Sequence, residues 1–152
     1  LSKNILKLSN ILDGPYFNPH LTLFGPIKKL DDKKRKDLKD FCRYSKPIKI
    51  RFSRLEMGNE KYKSIFFTIH KNNKFLQFRS NLLDLIPLIS KDDEYFPHVS
   101  VFYGKRENSK KIEAIKKICT EVASVKLEKV FYTYVNESRN QWIIEEEFRM
   151  NC

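Results

Sequence analysis

The spacing of hydrophobic residues switches repeatedly between the helical and the strand period, and this switching limits the folds that the chain can adopt. Apolar residues recur at helical spacing through residues 1–12, so the sequence predicts a first helix that stops at Asp13-Gly14-Pro15. A second helix is predicted after Asp31 or Asp32, either of which can cap its first turn, and it should end before Pro47.

Two further helices are predicted in the second half of the chain. Residues 75–86 form a helical pattern that Pro87 should end, because proline lacks an amide hydrogen and its ring clashes with the preceding turn. Ser109 can cap the fourth helix. The residues expected to point inward from that helix are Ile112, Ile115, Cys119 and Val122.

Strand patterns fill the intervals between these helices. Ile48, Ile50 and Phe52 alternate with polar residues, and residues 65–69 form an apolar run that should be their hairpin partner, joined near Gly58-Asn59. Further strands are predicted over residues 21–25, 99–103 and 125–135, and where Trp142, Ile144 and Phe148 alternate with Glu145 and Glu147. This order predicts an α+β fold with mainly antiparallel sheets rather than a doubly wound parallel sheet.

The size of the chain favours one domain. With 152 residues, 41% of them hydrophobic, it can bury one core but is too short for two independent domains, so we expect residues 1–152 to form a single domain. No apolar stretch approaches the roughly 18 residues of a membrane span, and we expect a cytoplasmic monomer. The net charge of +11 favours a phosphate-bearing partner, although runs such as Lys33 to Lys36 are also typical of a solvated helix face.

The cysteines and glycines argue against several classes of protein. Cys42, Cys119 and Cys152 are odd in number and far apart, which does not favour a disulfide framework or a zinc cluster. We expect Cys42 and Cys119 to be buried thiols on helices. Only four glycines occur, and none forms a phosphate loop or a dinucleotide-binding fingerprint.

Two segments of the sequence share one motif. Residues 17–25 and 95–104 both contain Pro-His-apolar-hydroxyl-apolar-Phe, with His20 and Thr22 in the first copy and His98 and Ser100 in the second. Residues i and i+2 of a strand project from the same face, so each histidine should lie beside its hydroxyl. If the two strands are neighbours, two imidazoles and two hydroxyls converge on one site.

Such a set of side chains suits metal-independent attack on phosphorus. One imidazole can act as a base and the other as an acid near neutral pH, while hydroxyls donate hydrogen bonds to phosphate oxygens. A zinc site is the main alternative, but it needs further ligands, and only Glu94 and Asp13 lie close to the motifs in sequence. The third histidine, His70, lacks both the proline and the hydroxyl and is expected to be an ordinary surface or core residue.

At these motifs the sequence resembles the two-histidine (2H) phosphoesterase superfamily, whose signature is two copies of His-x-Thr/Ser-apolar. Residues 14–23 and 97–103 are more narrowly similar to its cyclic phosphodiesterase branch. The resemblance implies a bilobal α+β fold with two mainly antiparallel sheets, helices on the outside and a central active-site cleft. Family members usually begin with a strand before the first helix, whereas this sequence begins in the helix, so one strand of the two pseudo-symmetric lobes should be missing.

The resemblance also implies an activity. Members of this branch hydrolyse nucleoside 2′,3′-cyclic phosphates or ADP-ribose 1″,2″-cyclic phosphate without a metal or another cofactor. Carried over to this sequence, His20 and His98 are the acid and the base, Thr22 and Ser100 bind the phosphate, and Tyr103 lines the substrate site. We expect His98 to activate water and His20 to protonate the departing oxygen, although the near-symmetry of the motifs permits the reverse.

Two other functions fit the same sequence. One is a 2′,5′-oligonucleotide or RNA-end phosphodiesterase, which should extend a basic groove beyond the site. The other is a non-catalytic module that binds a nucleotide or an RNA terminus. The presence of both histidines and both hydroxyls argues against the non-catalytic module.

Overall fold

The computed structural model describes residues 1–86, 95–121, 124–136 and 141–151. Pro87, Glu94, Val122 and Cys152, which entered the sequence predictions, lie outside the described residues. The helices in the described part are α1 (Ser2–Leu12), α2 (Asp32–Tyr44), α3 (Asn73–Leu85) and α4 (Asn108–Ile115). The strands are β1 (Ile48–Glu60), β2 (Lys63–Ile69), β3 (His98–Phe102), β4 (Ser124–Leu127), β5 (Lys129–Asn136) and β6 (Gln141–Arg149).

The strands belong to two sheets. One has four strands in the order β3-β2-β1-β4, and the other is the hairpin of β5 and β6. β2 pairs antiparallel with both β1 and β3, and β5 pairs antiparallel with β6. The turn between β1 and β2 covers Lys61 and Tyr62, whereas Gly58-Asn59, the predicted junction, still lies in β1. The predicted α+β class with antiparallel sheets is confirmed.

The chain divides into two compact units, and the first of them contains both histidine motifs. Unit 1 comprises Leu1–Gly25, Arg51–Lys71 and Asp92–Ser124. In this unit α1 packs against α4 and β3. Apolar side chains of α1, β2 and β3 form its core, among them Ile5, Leu8, Leu12, Ile65, Phe67, Val99 and Val101.

Unit 2 comprises Pro26–Ile50, Asn72–Lys91 and Val125–Cys152. In this unit α2 packs against α3 and β6. The rings of Phe41 on α2 and Phe78 on α3 lie 5.2 Å apart, centre to centre. None of the helices in the described part of the chain is long and apolar enough to cross a membrane.

Two helix ends follow the predicted capping signals and one does not, because α4 begins at Asn108 after Glu107, so Ser109 lies inside the helix and the prediction that it caps this helix was wrong. Asp31 caps α2, because its carboxylate accepts a hydrogen bond from the amide of Lys34 at 2.8 Å. α1 ends at Asp13, which adopts the left-handed conformation with φ of 50°. The predicted stop of the first helix and the predicted start of the second are therefore confirmed.

The inward face of α4 differs from the prediction. Lys111 and Ala114 are buried, whereas Ile112 is 44% exposed. The aliphatic stem of Lys111 lies inside, and its ammonium donates to the carbonyl of Gly58 at 2.8 Å. The helix ends at Ile115, so Cys119 lies beyond it and is exposed rather than buried. The buried face of α4 therefore contains Lys111 and Ala114, each one position before Ile112 and Ile115, the residues that the apolar pattern predicted to be buried.

Candidate active site

The second motif lies on β3, as the sequence predicts. His98 and Ser100 share one face of the strand, and Val99 and Val101 are buried on the other. β3 pairs with β2, which places Phe66 opposite Ser100. The rings of Phe66 and His98 meet edge to face with their centres 5.3 Å apart. Strand pairing therefore fixes the position of the second histidine.

The first motif is not on a strand, so the prediction for residues 21–25 was wrong. Residues 14–26 have no regular secondary structure. Side chains hold the segment instead: the hydroxyl of Ser9 donates to the carbonyl of Pro15, and the hydroxyl of Tyr95 donates to the carbonyl of Thr22, both at 2.8 Å. Alternating apolar residues predict which side of a segment is buried, but a strand also needs a partner for its backbone groups.

The segment that leads to His20 packs closely against the end of β3. A Cβ atom on Gly14 would overlap Cε2 of Phe102 and lie 3.0 Å from the carbonyl oxygen of Tyr103, so this approach requires glycine. Phe17 stacks on Tyr103 with ring centres 3.9 Å apart and an interplanar angle of 12°. These contacts bring the two motifs together within unit 1.

The two imidazole rings are held in the same way. Nδ1 of His20 lies 2.8 Å from the carbonyl oxygen of Asn18, and Nδ1 of His98 lies 2.8 Å from that of Phe96. A carbonyl oxygen only accepts, so each Nδ1 carries a proton and the neutral ring has its lone pair on Nε2. In both motifs the acceptor precedes a proline, which restricts that residue to extended backbone. The proline in each motif thus fixes the position of the carbonyl that accepts from Nδ1. Nε2 is then the ring nitrogen that can exchange a proton with a substrate.

The surroundings of His98 favour its neutral form. Burial lowers the pKa of His98, and the positive charges of Lys63 and His20 lower it further, against the opposing effects of the Phe96 carbonyl and Glu60. A neutral His98 can accept a proton at pH 7.

Tyr103 follows β3 directly and contacts the other histidine. Its hydroxyl lies 3.0 Å from Nε2 of His20. Burial raises the pKa of Tyr103 to about 12, so the phenol stays protonated at neutral pH. Because the strand ends at Phe102, strand alternation does not set the direction of Tyr103.

The hydroxyls of the two motifs differ in their surroundings. The side chain of Thr22 is exposed, whereas Ser100 is only 4% exposed. The hydroxyl of Ser100 donates to the carbonyl of Tyr62, at the turn between β1 and β2, at 2.8 Å. The Thr22 side chain is therefore accessible to a ligand, while the Ser100 proton is already donated within the protein.

Aromatic and basic residues that the sequence analysis did not single out also lie at the site. The ring of Phe96 is 45% exposed and its centre is 5.9 Å from that of His98. The ammonium of Lys63 lies 5.0 Å from the centre of the Phe96 ring. The place of Phe96 just before Pro-His was a usable signal. Lys63 and Phe66 gave no such signal, because only the pairing of β2 with β3 brings them to the site.

A metal site would need more ligands than the two imidazoles. Within the residues that the structure describes, no group of three or more His, Cys, Asp or Glu side chains could hold a metal ion. Two carboxylates were considered as ligands from the sequence. Asp13 lies 3.9 Å from the guanidinium of Arg106, and Glu94 is outside the described residues.

Comparison with known families places the chain. A sequence model of the 2′-5′ RNA ligase superfamily matches residues 15–131, a range that includes both histidine motifs. The chain therefore belongs to this superfamily of two-histidine phosphoesterases, and the resemblance noted in the sequence is confirmed at that level. The chemistry of the superfamily is the hydrolysis or ligation of phosphoesters. No curated protein sequence matches the chain.

Solved structures support the fold. The crystal structure of a phosphoesterase aligns with a TM-score of 0.59 at 9% identity, over 100% of this chain and 94% of that one. The protein TT0787 of Thermus thermophilus aligns with a TM-score of 0.61 at 12% identity, over 98% of this chain and 91% of that one. At these identities the similarity establishes a common fold and nothing more specific.

Proposed function

We propose that this protein is a metal-independent cyclic phosphodiesterase that opens a nucleoside 2′,3′-cyclic phosphate or ADP-ribose 1″,2″-cyclic phosphate. The observation that carries the proposal is the pair of imidazoles, each bonded through Nδ1–H to a backbone carbonyl and both held in unit 1, where Phe17 of the first motif stacks on Tyr103 of the second. Opening a cyclic ester with water requires one group that removes a proton and another that supplies one. Two neighbouring imidazoles can meet both needs near neutral pH.

In this mechanism His98 is the base and His20 is the acid. Nε2 of the neutral His98 takes a proton from water as the water oxygen bonds to phosphorus. The bond from phosphorus to one ribose oxygen breaks, and His20 gives that oxygen a proton. The exposed hydroxyl of Thr22 suits a hydrogen bond to a nonbridging oxygen, whereas Ser100 would first have to release the carbonyl of Tyr62.

The surroundings of His98 favour a substrate that carries a nucleobase. Phe96 offers an exposed ring next to His98, and Lys63 adds a positive charge beside it. Exposed aromatic rings interleaved with basic side chains bind bases and phosphates of single strands. This observation keeps the RNA-end phosphodiesterase as the second candidate, because an RNA terminus would use the same ring.

The charge of Lys63 provides a test of the assigned base. In Lys63→Gln we expect the pKa of His98 to rise, because a cation that lowers it is removed. The acidic limb of the pH–rate profile should then move to higher pH, since His98 becomes protonated, and inactive as a base, earlier as the pH falls. NMR titration of the His98 ring measures the shift, with the exposed Lys71→Gln as the control. A His98 titration that is identical in both variants would contradict this account.

The activity can be tested by incubating the protein in EDTA with each of the four nucleoside 2′,3′-cyclic phosphates, ADP-ribose cyclic phosphate, an RNA with a cyclic phosphate end and a 2′,5′-linked oligonucleotide. We expect conversion of a cyclic phosphate to a single phosphomonoester. Activity that EDTA abolishes would favour the metal interpretation. Binding of these ligands without any turnover would favour the non-catalytic module.

A further inference from the structure

The turn between β1 and β2 carries an exposed aromatic ring next to the site. The ring of Tyr62 is 46% exposed, and it meets the buried ring of Tyr103 edge to face with the centres 5.4 Å apart. The hydroxyl of Tyr103 lies 3.0 Å from Nε2 of His20. Tyr62 is therefore separated from the first motif's histidine by one ring, and part of its surface is open to solvent.

Two hydrogen bonds anchor the backbone of this turn to the second motif. The carbonyl of Tyr62 accepts from the hydroxyl of Ser100, and the carbonyl of Lys61 accepts from the amide of Gly104, both at 2.8 Å. Ser100 lies on β3 and Gly104 two residues after its end. Because the turn is already held, a ligand can use the Tyr62 ring without the cost of ordering it.

Lysines accompany the Tyr62 ring on both sides in the sequence. The ammonium of Lys61 lies 5.0 Å from the centre of the Tyr62 ring, and the ammonium of Lys63 lies 5.0 Å from the centre of the Phe96 ring. Lys63 also pairs with Glu60 at 3.5 Å, but the Glu60 side chain is 75% exposed, so this ion pair is weak. Lys63 thus connects the turn that bears one exposed ring with the other exposed ring.

The two exposed rings lie toward opposite ends of β3. Phe96 precedes the strand and lies beside His98, whereas Tyr62 contacts Tyr103, which follows the strand. Bases of a single strand stack on aromatic faces, and basic side chains contact the phosphates that join them. A base that stacks on Phe96 leaves Tyr62 unused, so the arrangement suits a ligand with two bases.

We propose that Tyr62 and Lys61 form a second nucleobase subsite, so that the preferred substrate is an RNA end with at least two nucleotides. The terminal base would stack on Phe96, the cyclic phosphate would meet the two histidines, and the preceding base would stack on Tyr62. The proposal rests on the proposed function and deepens it, because it selects an RNA terminus over a nucleoside cyclic phosphate and over ADP-ribose cyclic phosphate, which has one base. Tyr62 determines specificity in this account and takes no part in proton transfer.

The test compares two substrates that differ by one nucleotide: adenosine 2′,3′-cyclic phosphate and the dinucleotide ApA with the same cyclic end. The parent protein should have the lower KM for the dinucleotide. Tyr62→Leu should raise that KM about five- to a hundredfold, the range for the loss of one stacked base. Its kcat, and its KM for the mononucleotide, should stay within about twofold of the parent, because both histidines and Phe96 are unchanged.

Two further variants separate stacking from a general disturbance of the site. Tyr62→Phe keeps the ring and loses only the hydroxyl, so it should retain the parent KM for the dinucleotide. Tyr44→Leu is the matched control, since it removes a tyrosine of α2 that is 80% exposed, and it should leave both substrates unaffected. If Tyr62→Leu alters both substrates equally, the ring only supports Tyr103 and the subsite does not exist. A Tyr62 effect on ADP-ribose cyclic phosphate without one on the dinucleotide would contradict the assignment to RNA.

A binding measurement keeps this proposal separate from the proposed function. Calorimetric titration with ApA that ends in a 2′-phosphate should show tighter binding than adenosine 2′-phosphate in the parent, and Tyr62→Leu should lose the difference. A parent with this preference that opens no cyclic phosphate would overturn the proposed function and leave the subsite intact. A parent that opens both substrates equally well and binds both products equally would do the reverse.

Discussion

Replacing His98 or His20 with alanine should lower the turnover of a cyclic phosphate by roughly a hundredfold or more, because a positioned general acid or base typically contributes 10²–10⁴-fold. Both rings are only half-buried, so truncation removes a chemical group without emptying the core. Binding of the product should survive in part, since Thr22 is unchanged. The measurement is kcat for each variant across the pH range, with product quantified directly.

His70 provides the matched control for both substitutions. It is the third histidine of the chain, lies directly after β2 and is exposed. His70→Ala should therefore stay close to the parent protein in kcat and in its dependence on pH. A variant without His20 or His98 that retains near-parent turnover would remove that histidine from the mechanism.

The face that His98 and Ser100 share could be predicted from the sequence because alternation along a strand is a local property, whereas the pairing of this strand with β2 is not. An apolar run at residues 65–69 indicated a strand, and alternation around His98 indicated another. The two pair as β2 and β3, which places His98 and Ser100 on one face as predicted. The proline before each histidine was part of the predicted motif, and the structure shows its physical purpose in the bond from Nδ1 to the preceding carbonyl.

The difference between the two motifs could not be predicted, because it depends on backbone groups and on close approach. The carbonyl of Tyr62 accepts a hydrogen bond from the Ser100 hydroxyl. Every residue has a backbone carbonyl, so nothing in the sequence singles this one out as the acceptor. The first motif alternates as a strand should, yet it is held by Tyr95 and by the contact that Gly14 permits. Two copies of one sequence pattern therefore acquire different hydrogen bonds once the fold places them.

The hydroxyl of Thr22 should contribute directly to the reaction. Thr22→Val removes the hydroxyl and keeps the shape of the side chain, and we expect kcat/KM to fall roughly ten- to hundredfold, the value of a charge-assisted hydrogen bond. The loss should be larger in turnover than in ground-state binding, because charge on the nonbridging oxygens grows in the transition state. Steady-state kinetics together with the affinity for the product separate these two effects.

Thr22→Val should remove the hydroxyl without disturbing the backbone of the segment. The segment is anchored there by the Tyr95 hydroxyl, which donates to the backbone carbonyl of Thr22 rather than to its side chain, so the anchor is present in the variant. Thr22→Ser retains the hydroxyl and loses only a methyl group, and it should stay within a fewfold of the parent. If Thr22 were merely a solvated residue, Thr22→Val would behave like Thr22→Ser, and the phosphate would have to be held by groups other than this hydroxyl.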